Sequence, residues 1–328
     1  MCLLSLALDV SSRFPFVLAG NRDEFTDRET ARLGWWEPAG QAPILSGRDL
    51  KAGGAWLGLT AHGRLAVLTN YRQPRKDDKD APSRGEIVPL WLRGDKPMHQ
   101  LWPQLAMNGY NGFNLMALDF AQGECFWVSN TAKHPKRLER GLYGLSNGHL
   151  DSEWPKVSRL KASTKAALAD CESVDELAIA LFEALADTTV APDAQLPQTG
   201  VPLEWERVLS PAFIRTPDGT YGTRCSTVII TERVNKRLVT HVMERTYTVG
   251  ARMALLRKVT LKNWPPRHTI QAEQLAKLDQ SLLPPALRNE ERFESSDVHE
   301  QEGHALPDTP PARKTRARSL MKPSRTAR

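Results

Sequence analysis

The 328-residue sequence has only four cysteines, Cys2, Cys125, Cys171 and Cys225, and none forms a CxxC pair or a Cys/His ligand set. A disulfide framework, a structural zinc site and c-type haem attachment are therefore all unsupported, and a reduced, cytoplasmic setting is expected. The eight histidines include no HxH or HxxxH pair. No apolar run approaches the roughly 18 residues that a membrane-spanning helix needs. The opening MCLLSLALDV is apolar but has no basic flank and soon meets Ser11, Ser12 and Arg13, a poor match to a signal peptide. Gly53-Gly54 and Gly58 fit neither GxGxxG nor a Walker A loop, so nucleotide binding of those kinds has weak support.

The formal net charge is +6, with a pI near 9.2. Its distribution argues against a basic nucleic-acid-binding face. Residues 289–302 carry a net −5 and residues 303–328 a net +6, while large apolar side chains are sparse in both. Such a stretch buries too little surface to offset its ordering entropy, so a disordered acidic-then-basic tail is expected over 289–328. Residues 1–288 then form a single domain.

Apolar runs and turn residues predict a hairpin over Cys2–Val10 and Phe14–Ala19, and a second over Gly54–Thr60 and Arg64–Asn70. Further strands are expected at Phe113–Asp119, Glu124–Ser129 and Gly141–Ser146, and a late hairpin at Cys225–Thr231 and Arg237–Val242 extending toward Tyr247. Ser83-Arg-Gly-Glu86 reads as a capping box before IVPLWL, and a short helix is expected over Pro97–Met107. Longer helices are expected over Lys156–Ala169 and from the capping box Ser173–Glu176 to Leu185. Strands and helices in this order predict an α+β fold of antiparallel sheets with helices on their outer faces.

Cys2 follows the initiator methionine, and removal of that methionine would leave a thiol and a free α-amine on one residue. An α-amine of pKa about 7.7–8.0 is partly unprotonated at neutral pH and can act as base for its own side chain. In the expected first hairpin, Asn21-Arg22-Asp23-Glu24 comes back beside Cys2. There a carboxylate can hold the amine and a guanidinium can favour a thiolate. Asn70, Asn147 and Arg224 also fall at strand ends, where amide donors could meet a developing oxyanion. Trp35, Trp36, Trp56, Trp91, Trp102 and Trp127 read as core or pocket lining.

The ordered set MC, LAGNRDEF (18–25), SGRDLKAGGAWLGL (46–59), LTNYR (68–72), GFNLM (112–116), YGLSNGHLDSEWPKV (143–157) and YGTRCSTVI (221–229) resembles the NRDE family, also called the transport and Golgi organisation protein 2 family. The resemblance spans about residues 1–250. It implies an N-terminal nucleophile (Ntn) hydrolase fold, a four-layer α-β-β-α sandwich of two antiparallel sheets. The implied relatives include penicillin V acylase, conjugated bile salt hydrolase and acid ceramidase, which cleave non-peptide C–N amide bonds with an N-terminal cysteine. On that resemblance Cys2 is the nucleophile and Asp23 the partner of its amine. Asn70 and Asn147 are oxyanion or orienting donors, Arg224 is the late-strand arginine near the thiol, and Arg22 and Asn21 meet substrate. One position departs: those acylases carry arginine three residues before the aspartate, where this chain has Gly20 and instead places Arg22 next to Asp23.

Two functions follow as expectations. One is a cysteine amidohydrolase needing no metal or organic cofactor. The other is a non-catalytic protein that holds an acidic apolar ligand, haem or an acyl chain, in the same pocket, since the family has been linked to haem movement and lipid handling. The expected partner is a small amide or acidic apolar ligand, with no specific nucleic acid.

Overall fold

Cys2–Leu8 (β1) is buried along its whole length, which explains a sequence that is apolar at every position but Ser5. Cys2, Leu4, Leu6 and Leu8 enter one core cluster, and Leu3 and Ala7 enter another on the opposite face. Continuous rather than alternating hydrophobicity is what a strand covered on both faces requires. The computed structural model describes residues 2–266 apart from 39, 75, 76 and 249, all within the compact unit Met1–Thr269. The boundary expected at 288 and the tail expected over 289–328 lie outside the described residues.

In chain order the remaining elements are β2 (Phe16–Phe25), β3 (Thr30–Trp36), β4 (Ile44–Asp49), β5 (Leu57–Thr60), β6 (Arg64–Asn70), α1 (Ile87–Leu92) and α2 (Met98–Met107). Next come β7 (Phe113–Asp119), β8 (Glu124–Ser129), β9 (Lys136–Arg137), β10 (Gly141–Leu145), α3 (Pro155–Asp170), α4 (Val174–Leu185) and α5 (Leu203–Val208), and finally β11 (Tyr221–Val234), β12 (Arg237–Tyr247) and β13 (Met253–Lys262). One antiparallel sheet has the order β10-β1-β2-β11-β12-β13, the other β3-β4-β5-β6-β7-β8-β9.

Three apolar clusters define four layers. Leu4, Leu6 and Leu18 of the first sheet meet Leu65, Val67 and Met116 of the second between the sheets. The outer face of the first sheet is covered by Val157, Leu160, Leu177 and Leu181 of α3 and α4. The outer face of the second is covered by Ile87, Trp91, Leu101 and Leu105 of α1 and α2. Each such buried leucine contributes about 1.5–3 kcal/mol, so the sheets are held on both sides. The result is the expected α+β sandwich, α-β-β-α.

Local signals behave as their chemistry dictates. Ser173 Oγ accepts from Glu176 N–H, and the Glu176 carboxylate accepts from Ser173 N–H, a complete capping box opening α4. The similar motif at Ser83 does not close. Its Glu86 accepts a hydrogen bond from Tyr110 Oη at 2.6 Å, and the segment enters α1 through a short 3-10 turn at Arg84–Glu86.

Gly54 is required by a close backbone approach. A Cβ there would sit 2.2 Å from the Gly85 carbonyl oxygen, which itself accepts from Ala55 N–H. Gly54→Ala is therefore expected to destabilise by about 1–3 kcal/mol in urea unfolding, the ordinary cost of overpacking. Gly34→Ala, where the added carbon meets nothing nearer than 3.6 Å, should change stability much less.

Candidate active site

β1 and β2 pair so that Cys2 lies opposite Arg22, and β2 and β11 pair so that Arg22 lies opposite Cys225. Cross-strand partners share a face, so all three point toward the space between the sheets. β2 runs on through Phe25, so Asn21-Arg22-Asp23-Glu24 is sheet rather than turn. Alternation then sends Asn21 and Asp23 to the helical face. The register between β2 and β11 shifts between Thr223 and Cys225, leaving Arg224 in a bulge.

A cleft of about 240 Å³ opens here, lined in part by Cys2, Arg22, Asp23, Trp56, Asn70 and Arg84. Four of the expected site residues thus meet: Cys2, Arg22, Asp23 and Asn70. Asn147 stands one step behind them, fully buried, with Nδ2 donating to the Asn70 carbonyl at 2.8 Å. Its neighbour Ser146 donates from Oγ to the Cys2 carbonyl at 2.9 Å, so two consecutive residues after β10 clasp β1 and the Asn70 corner together.

Two expected residues are placed elsewhere. Asn21 is fully buried on the helical face, where Nδ2 donates to Leu185 and Ala212 carbonyls, each at 2.8 Å, and Oδ1 accepts from Ser226 Oγ. Its groups tie α4 and the 212 loop to the sheet. Arg224 donates from Nη1 to the Thr26 carbonyl at 2.6 Å and borders an adjoining hollow that shares Thr30, Gly47 and Trp56 with the cleft.

The departure at Gly20 has a steric cause. A Cβ on Gly20 would lie 3.0 Å from the Leu3 carbonyl, 3.2 Å from Leu4 Cβ and 3.4 Å from Trp56 Cη2. The indole of Trp56 fills the space a longer side chain would need. Arg22, two residues further along the same face, brings the guanidinium to the strand position facing Cys2. It is fixed by Asp49 at 3.1 Å, Thr30 Oγ1 at 3.1 Å and Glu24 at 3.6 Å. Burial opposes the charge on Asp49, but hydrogen bonds from Ala52 N–H and Arg28 and the charges of Arg28 and Arg22 outweigh it, holding that carboxyl below its usual range.

Burial pushes the Cys2 thiol up to about 11, so it is protonated at neutral pH and reacts only with a base to take its proton. Burial also raises Asp23, while the Lys156 charge, a hydrogen bond from Thr223 Oγ1 at 2.7 Å and the Arg22 charge pull the other way. Tyr221 Oη donates to the Asp23 carbonyl at 3.1 Å and fixes the strand end. Among the described residues no three His, Cys, Asp or Glu side chains gather as metal ligands would. Among them, too, no helix is long and apolar enough to cross a membrane.

The thiols set a pH dependence of stability. Burial raises Cys2 to about 11, Cys125 to about 12 and Cys225 well above the ordinary 9.0. Above pH 9 the unfolded chain releases these protons and the folded one keeps them, so stability falls as pH rises. Lys156, pushed down to about 8 by burial, acts in the opposite sense between about 8 and its usual 10.5. Three thiols outweigh one ammonium. The urea midpoint in reducing buffer is expected to fall between pH 9 and 10.5, and Cys125→Ala should make the decline shallower by about 1 kcal/mol per pH unit.

Sequence reasoning passed over several residues that build the site. Asp49, Arg72 and Lys156 lie within the matched motifs, so the signal was present, but residue type and spacing alone give them no role; Trp56, expected as core or pocket lining, does line the cleft. Glu206, the buried partner of Arg72 at 2.8 Å, lies in no such motif.

Fold and site together define a four-layer α+β sandwich with a cysteine opening its first strand at the foot of a polar cleft and a buried carboxylate beside it. The chain belongs to the family described as Transport and Golgi organisation 2, which matches residues 1–249. It is 32% identical over 250 residues to the Transport and Golgi organization 2 homolog of Mus musculus, covering 71% of this chain and 89% of the mouse protein. The Bos taurus homolog is 33% identical over 254 residues, with the same shares of each chain. Among solved structures, the C2A mutant of conjugated bile acid hydrolase from Clostridium perfringens aligns with a TM-score of 0.44 and 8% identity, over 83% of this chain and 99% of that one. The Caenorhabditis elegans ortholog of N-acylethanolamine-hydrolyzing acid amidase aligns with a TM-score of 0.41 and 12% identity, over 70% and 92%.

Proposed function

We propose that the protein is a cysteine amidohydrolase of the Ntn kind, acting on a small linear, non-peptide amide. The observation that carries this reading is the meeting of Cys2, Arg22, Asp23 and Asn70 in one cleft. With Met1 removed, the α-amine of Cys2 takes the Sγ proton as sulfur attacks the amide carbonyl. Asn70, held by Asn147, offers its carboxamide to the oxyanion. Collapse breaks the C–N bond, the amine leaving with the proton, and water then hydrolyses the thioester to acid and thiol.

Intact mass of the purified protein tests the premise. Loss of Met1, and one acyl adduct on residue 2 after reaction with p-nitrophenyl acetate, is the expected result. Retained Met1, or an adduct elsewhere, refutes it. The alternative, a non-catalytic carrier of haem or acyl lipid, draws less support from a cleft of about 240 Å³ lined by three arginines and three carboxylates. Pockets for drug-sized ligands are mostly apolar and about 300–1,000 Å³. A saturable haem spectrum that survives Cys2→Ala would favour the carrier.

A further inference from the structure

We propose that Glu244 and Arg257 are positioning residues for Arg22: they hold the peptide groups of Leu33, and so set the strand pair that carries the partners of the guanidinium facing Cys2. This rests on the amidohydrolase reading and adds two groups to it.

The register between β3 and β4 shifts between Ala31 and Gly34, so Arg32 and Leu33 form a bulge. Backbone groups that a bulge takes out of the ladder need other partners when they are buried. Leu33 keeps its side chain in the core between the sheets and turns both of its peptide groups to the first sheet. Its N–H donates to Glu244 Oε1 of β12 at 2.8 Å, and its carbonyl accepts from Arg257 Nη1 of β13 at 2.8 Å. Two side chains of opposite charge thus clamp one residue of the facing sheet. Glu244 is buried, and its other oxygen accepts from Thr227 Oγ1 at 3.4 Å. A carboxylate so placed is costly without donors, and its bond to a backbone N–H is of the strong, charge-assisted kind.

Thr30 stands three residues before Leu33 and pairs across the ladder with Asp49. These two fix Arg22: Nη1 donates to Thr30 Oγ1 and Nη2 to Asp49 Oδ2, each at 3.1 Å. Arg22 belongs to the first sheet, and Thr30 and Asp49 to the second, so the guanidinium is held across the two layers. Its aim at Cys2 therefore follows how β3 and β4 sit against the first sheet. The clamp sets that spacing close by. The hollow adjoining the cleft has Thr30, Ala31 and Arg32 in one wall and Cys225, Glu244 and Thr246 in the other. Gly47 brings β4 against the same carboxylate, where a Cβ would lie 3.5 Å from Glu244 Oε2.

The test uses full-length protein and p-nitrophenyl acetate. Glu244→Ala leaves the Leu33 N–H without its acceptor and should slow the Cys2-dependent p-nitrophenolate burst by about tenfold, within the loss that a misplacement of about 1 Å produces. Glu244→Gln keeps an acceptor and should restore most of the rate. Thr30→Val removes one anchor of Arg22 directly, so adding Glu244→Ala to it should slow the burst far less than Glu244→Ala does alone. Effects that simply multiply, or a Glu244→Ala burst equal to wild type, overturn the positioning role and leave the amidohydrolase standing. Should Glu244→Ala not fold, Arg257→Met, at an exposed residue of β13, takes its place in the same cycle. Amide hydrogen exchange reads the clamp itself: the Leu33 N–H should be protected in wild type and in Glu244→Gln, and free exchange there in wild type overturns the clamp. A wild type with no Cys2-dependent burst overturns the amidohydrolase reading and the positioning role together.

Discussion

Cys2→Ala is expected to lower amide turnover by at least about 10⁴-fold while leaving the fold in place. Loss of a covalent nucleophile costs up to about 10⁶ in kcat where the remaining site still binds and polarises substrate. What is left here is the cleft with Arg22 and Asn70, which accounts for the residual rate. The fold tolerates the change because Cys2 is held by its backbone: it pairs with Arg22 across the sheet, and its carbonyl accepts from Ser146. Removing one buried sulfur costs about 1 kcal/mol. Cys225→Ala is the matched control. Cys225 is equally buried on the same face and faces Arg22 from the opposite strand, yet it has no α-amine of its own. It should keep the wild-type rate. Initial hydrolysis rates with near-UV circular dichroism on all three proteins check both halves. Equal losses in both variants would mean that packing, and not nucleophilicity, is being measured.

The parts of the fold legible in the sequence are those built from local chemistry or from strands buried on both faces. β1, β6 and β7 announce themselves by dense apolar sequence, and α4 by a capping box that closes as written. β3, β4 and β13 carry no such signature. β13 is largely exposed, with Met253 at 58% and Leu256 at 48%, and β3 mixes Arg32 and Gly34 with tryptophans. Their pairing is decided by neighbours distant in sequence, such as Glu244, whose carboxylate accepts from Leu33 N–H at 2.8 Å. The site divides in the same way. Hairpin geometry alone puts Arg22 opposite Cys2, and a continuous β2 follows once its second face is known to be covered. That coverage is a tertiary fact, and it is why Asn21 serves the core, not the cleft. The consecutive residues Asn21 and Arg22 have the same strand propensity and opposite surroundings.

The largest stability effect is expected at Glu206, from which support runs to the cleft through one chain of contacts. Its Oε2 accepts from Arg72 Nη1 at 2.8 Å, and its Oε1 accepts from Thr199 N–H and Oγ1. Arg72 stacks on Trp154 at 5.0 Å, and its N–H donates to the Asn147 carbonyl at 2.7 Å. Asn147 in turn holds Asn70. The side chains of Arg72 and Glu206 are 7% and 4% exposed, so neither charge has water to fall back on. Glu206→Gln keeps an acceptor for Thr199 and nearly the same volume but leaves the Arg72 charge uncompensated. Breaking a buried pair from one side costs about 3–5 kcal/mol, and replacing both partners by apolar residues costs far less. Glu206→Gln should therefore lower Tm by roughly 10 °C. Arg72→Met combined with Glu206→Leu should recover most of that loss. The double variant separates support from stability: with the pair gone but the fold restored, the Arg72 backbone bond to Asn147 persists, and turnover should stay within a few-fold of wild type. If the double variant is as unstable as Glu206→Gln, the pair contributes through its specific hydrogen bonds, not through mutual cancellation of two buried charges. Urea and thermal unfolding of the three proteins at pH 7 decide between the two.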